Sequence, residues 1–296
     1  MADTETKTLF AQQVKDRLEA CVGQIARQAG LQGVEEQLAG GKMLRSRLPG
    51  RIHDCAGQAD PNVLREVCAA AELVHSASLC HDDVVDGSDM RRGRSALWKK
   101  MGRTGAVLVG DLLFAEAVRV VRDAGDGAFV EDFTDKVKET SAAEAEQELV
   151  WRGERPDAET HVRLARQKTG PLFALTAAAA AGAGGEGARA LQEAGYRIGT
   201  AYQLADDLID VVGSEENAGK TLGTDQRRSK YTLALDEEEG LRGLRERVEK
   251  TCREALEALE GLPEMQDGTR TFITDDLAPI LRQHDEELGA RLEQIR

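Results

Sequence analysis

Residues 64–86 read LREVCAAAELVHSASLCHDDVVD, and apolar side chains recur through this stretch at intervals of three and four. That spacing places them on one face of an α-helix. The members of this first stripe are Leu64, Val67, Ala71 and Val74. A second stripe with the same spacing lies between residues 191 and 201. Leu, Ala, Glu, Arg and Gln, which are good helix formers, dominate the remainder, so the sequence predicts an all-α chain.

Composition narrows the class of protein further. The chain has 296 residues, with 39 basic and 53 acidic side chains and a formal net charge of −14. This acidic balance argues against a nucleic-acid-binding protein, because phosphate backbones require clustered Lys and Arg. Aromatic residues make up only 4%, which argues against a β-sandwich or barrel. No Pro- or Ser-rich linker divides the sequence, so we expect one domain over residues 1–296.

The sequence gives no sign of a membrane or secreted protein. The longest apolar stretch, near residues 174–183, is shorter than the roughly 20 residues that cross a bilayer. The first residues, MADTETKT, lack the basic and apolar regions of a secretory signal. The five cysteines are scattered and form no CxxC pair, which indicates reduced thiols. We therefore expect a cytoplasmic protein.

Two aspartate clusters carry the main chemical signal. Residues 82–86 read DDVVD and residues 206–210 read DDLID. Residues four apart share a helix face, and apolar neighbours place both clusters at the edge of a core. Crowded carboxylates repel one another, and a divalent cation relieves that repulsion. Mg²⁺ is commonly bound by one or two carboxylates together with substrate phosphates. The candidate metal ligands are Asp82, Asp83, Asp86, Asp206, Asp207 and Asp210. The alternative, two acidic helix ends in solvent, fits one such motif better than two.

Basic and polar residues are interleaved with these clusters. Arg binds phosphate through two parallel hydrogen bonds, and Lys serves as a point charge. Taken singly, each cation would be a surface charge, and it is their arrangement around the aspartates that suggests a diphosphate site. His75 lies two helical turns before Asp82, and Gln203 lies three residues before Asp206. The basic candidates are Lys42, Arg45, Arg91, Arg92, Lys168, Lys220 and Lys230, and Thr169 follows Lys168.

Two longer stretches make the sequence recognisable. Residues 72–94, ELVHSASLCHDDVVDGSDMRRGR, and residues 199–233, GTAYQLADDLIDVVGSEENAGKTLGTDQRRSKYTL, resemble the two aspartate-rich regions of the trans-isoprenyl diphosphate synthases, also called polyprenyl synthetases. The match runs from about residue 40 to 235. The resemblance implies a single-domain helical bundle around a deep central cavity, the isoprenoid synthase type I fold, usually as a homodimer. It also implies head-to-tail condensation of isopentenyl diphosphate with an allylic diphosphate.

The resemblance also implies a role for each matched residue. The six aspartates would hold Mg²⁺, three ions with substrate bound, around the allylic diphosphate. The leaving group would receive positive charge from Arg91, Lys168 and Lys220. The isopentenyl diphosphate would be bound by Lys42, Arg45, His75 and Arg92. Thr169 and Gln203 would line the reacting centre and favour carbocation charge, and Lys230 would close the site.

Product length is implied by the residues that precede the first cluster. In the family, large aromatic residues four and five positions before the first aspartate block elongation. Here these positions are Ser78 and Ala77, and Val74 lies one turn further back. Their small size predicts a product longer than farnesyl. A short-chain farnesyl or geranylgeranyl diphosphate synthase remains an alternative, with the tunnel closed by another part of the fold or by a partner subunit.

Two further readings stay open. A class I terpene cyclase also ionises allylic diphosphates, but it typically carries a different second motif and needs no second diphosphate site. A non-catalytic partner subunit would be marked by degenerate aspartate motifs, whereas both are intact here. Two departures from the family pattern stand out: Ser46 replaces the usual Pro, and the chain becomes acidic (DEEEG, 236–240) soon after Leu233. We expect residues 236–260 to form a solvated, salt-bridged helix.

Overall fold

The structure, a computed structural model, describes residues 2–125, 127–182, 184–212 and 240–295. These residues are almost entirely helical, which confirms the all-α prediction. The first four helices, the last of which carries the first aspartate cluster, are α1 (Ala2–Ala29), α2 (Glu35–Leu38), α3 (Leu44–Ala56) and α4 (Pro61–Asp86). The next four are α5 (Leu97–Ala124), α6 (Gly127–Leu149), α7 (Ala158–Ala179) and α8 (Ala188–Val212). The C-terminal elements are α9 (Gly240–Glu257), α10 (Pro263–Thr271), a π-helical segment (Phe272–Leu277), α11 (Ala278–Arg282) and α12 (Glu286–Glu293).

The apolar stripe that begins at Leu64 lies on α4, and the residues at both ends of this helix define where it begins and ends. Asp60 caps its N-terminus by accepting the backbone N–H groups of Asn62 and Val63 at 2.8 and 3.4 Å. Pro61 occupies the first turn, where its missing N–H costs nothing. The helix ends at Gly87, directly after the aspartate cluster. The predicted apolar stripe of α4 is buried in the core. The aspartate cluster therefore lies at the end of the helix, at the edge of that core.

Helices α7 and α8 approach each other so closely that their backbones touch. A Cβ at Gly199 of α8 would lie 2.6 Å from the Cα of Gly170 of α7, so only glycine fits at this crossing. The crossing lies next to Thr169 on α7 and one turn before Gln203 on α8. Close packing therefore brings the predicted polar residues of these two helices together.

The all-α fold has one short exception, and one sequence-based expectation needs correction. The exception is a hairpin that pairs Met90–Arg91 with Arg94–Ser95 in antiparallel fashion. Strands of two residues are too short to show an alternation of apolar and polar side chains in the sequence. The charged segment 236–260 was expected to be solvated, but α9 buries one face that includes Leu244, Val248 and Cys252. Its opposite face carries the expected i,i+4 ion pairs, for example Arg242 with Glu246.

Within the described ranges, no helix is both long enough and apolar enough to span a bilayer. All five cysteines lie in described parts of the chain, and none forms a disulfide. The single domain and the deep central cavity stay predictions.

Candidate active site

The first aspartate cluster lies in the last turn of α4. Asp83 is buried and accepts two hydrogen bonds at Oδ1, from Arg91 Nε at 2.9 Å and Arg91 Nη2 at 2.7 Å. Burial raises the pKa of the Asp83 carboxyl, and the Arg91 guanidinium opposes that rise. The hairpin after α4 folds Arg91 back onto the cluster. Asp82 and Asp86, one turn apart, are only partly buried.

The second cluster lies near the end of α8. Asp207 and Asp210 are buried, whereas Asp206 is partly exposed. Gln203 Nε2 donates to Asp207 Oδ1 at 3.3 Å, and Thr169 Oγ1 of α7 donates to Gln203 Oε1 at 2.6 Å. Thr169 and Gln203, which were predicted to line one centre, are therefore directly hydrogen-bonded to each other. Through Gln203 they are also connected to the aspartate cluster.

His161, which lies in the first turn of α7, was not predicted from the sequence. Its Nε2 is 2.6 Å from Asp207 Oδ2, and both side chains are buried. His161 lies seven residues before Lys168, two helical turns along the same face. That spacing is the one sequence signal that could have pointed to it. With Gln203 on Oδ1 and His161 on Oδ2, both oxygens of Asp207 have a partner within the protein.

Lys168 lies on α7 and is held by residues of α6. Its Nζ is 2.5 Å from Glu144 Oε2 and donates to Gln147 Oε1 at 3.0 Å. Neither Glu144 nor Gln147 was identified from the sequence. The Lys168 ammonium is therefore oriented by two acceptors before any diphosphate binds.

The predicted basic pocket is assembled from three separate segments. Arg45 of α3 is buried, with its guanidinium carbon 5.1 Å from the centre of the Phe173 ring. Arg92 Nη1 donates to the backbone oxygen of Gln37 at 3.1 Å. Burial and the nearby charges of three arginines hold the pKa of His75 well below its ordinary value; these arginines are Arg45, Arg92 and Arg91. His75 is therefore a neutral imidazole among fixed cations, an arrangement suited to an anionic ligand. Lys42, the fourth residue predicted for this group, is exposed.

A buried carboxylate, Glu72, balances part of this positive charge. It lies one turn before His75 on α4 and accepts a hydrogen bond from Ser46 Oγ at 2.9 Å. Burial raises the pKa of Glu72, while Arg45 and the Ser46 hydroxyl oppose the rise. Ser46, which departs from the family's usual Pro, thus supplies a hydroxyl that satisfies a buried acid. Glu72 was also missed from the sequence.

The three residues assigned to product length lie on α4 before the first cluster. Val74 and Ala77 are completely buried in the core, and Ser78 is partly buried. The Ser78 hydroxyl donates to the backbone oxygen of His75 at 2.9 Å. Their role in product length stays a prediction. Lys220 and Lys230 lie outside the described residues.

The donor chemistry of the two clusters fits Mg²⁺. Both present carboxylate oxygens, the hard ligands that Mg²⁺ prefers. Across the described parts of the chain, no three His, Cys, Asp or Glu side chains are arranged as a metal-binding group. Carboxylates supplied in ones and twos suit an ion whose remaining positions are filled by water and phosphate oxygens.

Comparison with known proteins identifies the family. The model of the polyprenyl synthetase family matches residues 30–253. A short chain isoprenyl diphosphate synthase from Methanothermobacter thermautotrophicus is 33% identical over 76% of this chain and 72% of its own length. Heptaprenyl diphosphate synthase component 2 from Geobacillus stearothermophilus is 34% identical over 67% of this chain. That alignment covers 62% of the heptaprenyl protein, less than two thirds of its length.

A solved structure gives the same result for the fold. Polyprenyl synthase from Caulobacter crescentus, crystallised with calcium and isoprenyl diphosphate, superimposes with a TM-score of 0.65 and 27% identity. The superposition covers 97% of this chain and 98% of the crystallised one. The type I isoprenoid synthase fold that the motifs predicted is thereby confirmed. The chain belongs to the polyprenyl synthetase family, the trans-isoprenyl diphosphate synthases.

Proposed function

We propose that this protein is a trans-polyprenyl diphosphate synthase that condenses isopentenyl diphosphate head-to-tail with an allylic diphosphate, with a product longer than farnesyl. The observation that carries the proposal is the presence of two carboxylate clusters together with a separate group of residues, Arg45, His75 and Arg92, in which the arginine charges act on the histidine. A reaction between two diphosphates needs two anion sites, and the chain offers cations for both. Family membership supports the same reaction.

In this proposal the allylic diphosphate lies between the ends of α4 and α8. The six aspartates of the two clusters would hold Mg²⁺, three ions in the loaded enzyme, and the metal would offset the charge that builds on the leaving diphosphate. Arg91 and Lys168 add fixed positive charge to the leaving group, and Lys220 does so from outside the described residues.

The second substrate, isopentenyl diphosphate, binds at Lys42, Arg45, His75 and Arg92. The neutral imidazole of His75 donates a hydrogen bond to a phosphate oxygen, while the arginines supply charge. Thr169 and Gln203 present oxygen dipoles to the developing carbocation. Lys230 closes the site over both substrates.

The reaction needs no side-chain nucleophile. The carbon–oxygen bond of the allylic substrate breaks, and the double bond of isopentenyl diphosphate attacks the resulting cation. The released diphosphate takes the proton that is lost when the new double bond forms. A dry, apolar cavity protects the cation from water.

We further propose that the protein forms a homodimer. Helix α5 exposes a row of large apolar side chains, Val107, Leu108, Leu112 and Val118, on the side away from the core. Clustered exposed apolar residues are typical of interaction surfaces. The relative from Geobacillus stearothermophilus is named as a component of its enzyme, so a different partner subunit is the alternative. Light scattering on the purified protein distinguishes a dimer of this chain from a lone subunit that needs another partner.

We also place the protein in the cytoplasm, as a single domain over residues 1–296. Five cysteines outside any disulfide support a reducing compartment. The family match over residues 30–253 supports one functional unit.

The test is chain elongation by the purified protein. Mg²⁺ and labelled isopentenyl diphosphate are supplied with dimethylallyl, geranyl, farnesyl or geranylgeranyl diphosphate in turn, and the products are sized. Products longer than farnesyl support the proposal. A ladder that stops at farnesyl or geranylgeranyl favours the short-chain alternative. Absence of incorporation with every primer contradicts the proposal and favours a catalytically inactive partner subunit.

A further inference from the structure

A cluster of ion pairs around one buried carboxylate joins the C-terminal helices to α3. Asp276 lies in the π-helical segment, and its side chain is only 2% exposed. Its Oδ1 accepts from Arg47 Nη1 at 2.8 Å, and its Oδ2 accepts from Arg51 Nε at 2.7 Å. Both arginines belong to α3. Asp276 lies beyond residues 30–253, so the family match does not extend to it.

Arg47 also reaches the loop in front of α3. Its Nε donates to the backbone oxygen of Lys42 at 3.0 Å. The next residue, Met43, has φ 53° and ψ 34°, a left-handed conformation that is unfavourable for a residue with a Cβ. Such a conformation persists only when its surroundings hold it. The bond from Arg47 is one of those constraints, and Asp276 fixes the arginine that makes it.

The packing of α10 makes this connection rigid. A Cβ at Gly268 of α10 would lie 2.6 Å from the Cα of Ile52 in α3, so the two helices meet backbone to backbone. The π-helical segment follows α10 directly. Single turns of π-helix occur frequently at functional sites. Here that segment directs the Asp276 carboxylate onto α3.

We propose that Asp276 and Arg47 are positioning residues for the isopentenyl diphosphate site. They fix the backbone at Lys42, so that the Lys42 ammonium and the Arg45 guanidinium meet the same diphosphate. This inference rests on the proposed function of Lys42 and Arg45. It gives the C-terminal helices, in which the sequence shows no catalytic motif, a part in binding the second substrate.

Arg47 and Arg51 form a matched pair for the test. Each makes one hydrogen bond to Asp276, but among the described contacts only Arg47 donates to the Lys42 carbonyl. Arg47→Met is expected to raise KM for isopentenyl diphosphate about tenfold, because a small displacement of a binding group is costly. Its kcat and its KM for the allylic primer should stay within about twofold of wild type. Arg51→Met should lower the melting temperature and leave all three constants near wild type.

Two results would overturn the inference. One is an unchanged KM for isopentenyl diphosphate in folded Arg47→Met. The other is an equal rise in Arg51→Met, because the cluster would then act only on stability. Should Arg47→Met fail to fold, Arg47→Lys serves instead, since a single ammonium keeps the charge beside Asp276 but cannot reproduce both bonds of the guanidinium.

A second readout separates this inference from the proposed function. If wild-type protein incorporates no isopentenyl diphosphate, the proposed function fails. Hydrogen exchange at the amides of residues 41–44 then still tests the positioning. Faster exchange in Arg47→Met than in both wild type and Arg51→Met supports the structural part of the inference. Equal exchange in all three proteins contradicts it.

Discussion

His161 Nε2 lies 2.6 Å from Asp207 Oδ2, in a contact that joins the first turn of α7 to the second aspartate cluster on α8. Both side chains are buried, so water cannot replace either partner. The opposite oxygen of Asp207 accepts from Gln203. His161 therefore fixes the orientation of a carboxylate in the proposed metal site without needing to touch the metal. Such supporting contacts commonly tune metal affinity.

Replacing His161 by Ala should weaken both the fold and the metal site. We expect the free energy of unfolding, measured by urea denaturation without metal, to fall by about 1–3 kcal/mol, because Asp207 loses a buried partner. The Mg²⁺ concentration for half-maximal activity should rise roughly tenfold or more. His53→Ala is the control, since the contacts described for its side chain, to the backbone oxygen of Ala59 at 3.2 Å and to the stacked ring of Phe10, lie far along the chain from α8. An unchanged Mg²⁺ requirement in His161→Ala would show that the contact does not support the metal site.

The partly exposed aspartates should be essential for turnover. Asp82→Ala and Asp206→Ala are each expected to lower kcat roughly a thousandfold, because they remove charge that holds metal around the leaving group. Circular dichroism should show an intact helical fold. Asp89→Ala is the matched control: Asp89 is exposed, lies just after the first cluster and pairs with Lys99. A near-normal rate in either cluster variant would contradict the metal assignment.

The aspartate clusters could be predicted from the sequence because their four-residue spacing is a local property of a helix. His161 could not, because its partner lies 46 residues away and the two meet only where α7 packs on α8. Arg47 and Asp276 are 229 residues apart, and nothing in the sequence around either residue indicates that they form a pair. In α9 the many charges concealed an apolar stripe at four-residue spacing. Local periodicity thus predicts helices and motifs, whereas long-range packing decides which polar groups support them.

Product length should respond to the size of the side chain at position 78. Ser78→Phe is expected to shorten the product, because a ring projecting from this face of α4 would block the growing chain. Ala77→Tyr should shorten it as well, but Ala77 is completely buried, so overpacking should also cost about 1–3 kcal/mol of stability. Sizing of the labelled products by chromatography tests both. An unchanged product from folded Ser78→Phe would show that the chain does not pass this residue.

His75 should make stability depend on pH. Its pKa in the folded protein lies well below the ordinary value of 6.5 because of burial and the three neighbouring arginines. As the pH falls below about 6.5, the unfolded chain gains a proton that the folded protein resists, so stability falls by up to about 1.4 kcal/mol per pH unit. Above that pH the effect vanishes. His75→Gln should flatten this dependence in urea denaturation at about pH 7.5, 6.5 and 5.5. The same slope in wild type and variant would contradict the assignment.

The central claim is that isopentenyl diphosphate and an allylic diphosphate react with each other in this site. It is tested most directly by following diphosphate release from labelled geranyl diphosphate in Mg²⁺, with and without isopentenyl diphosphate. The account predicts release that depends on isopentenyl diphosphate and equals its incorporation into a longer product. Release from the allylic substrate alone, with no incorporation, would contradict it and identify a terpene cyclase instead.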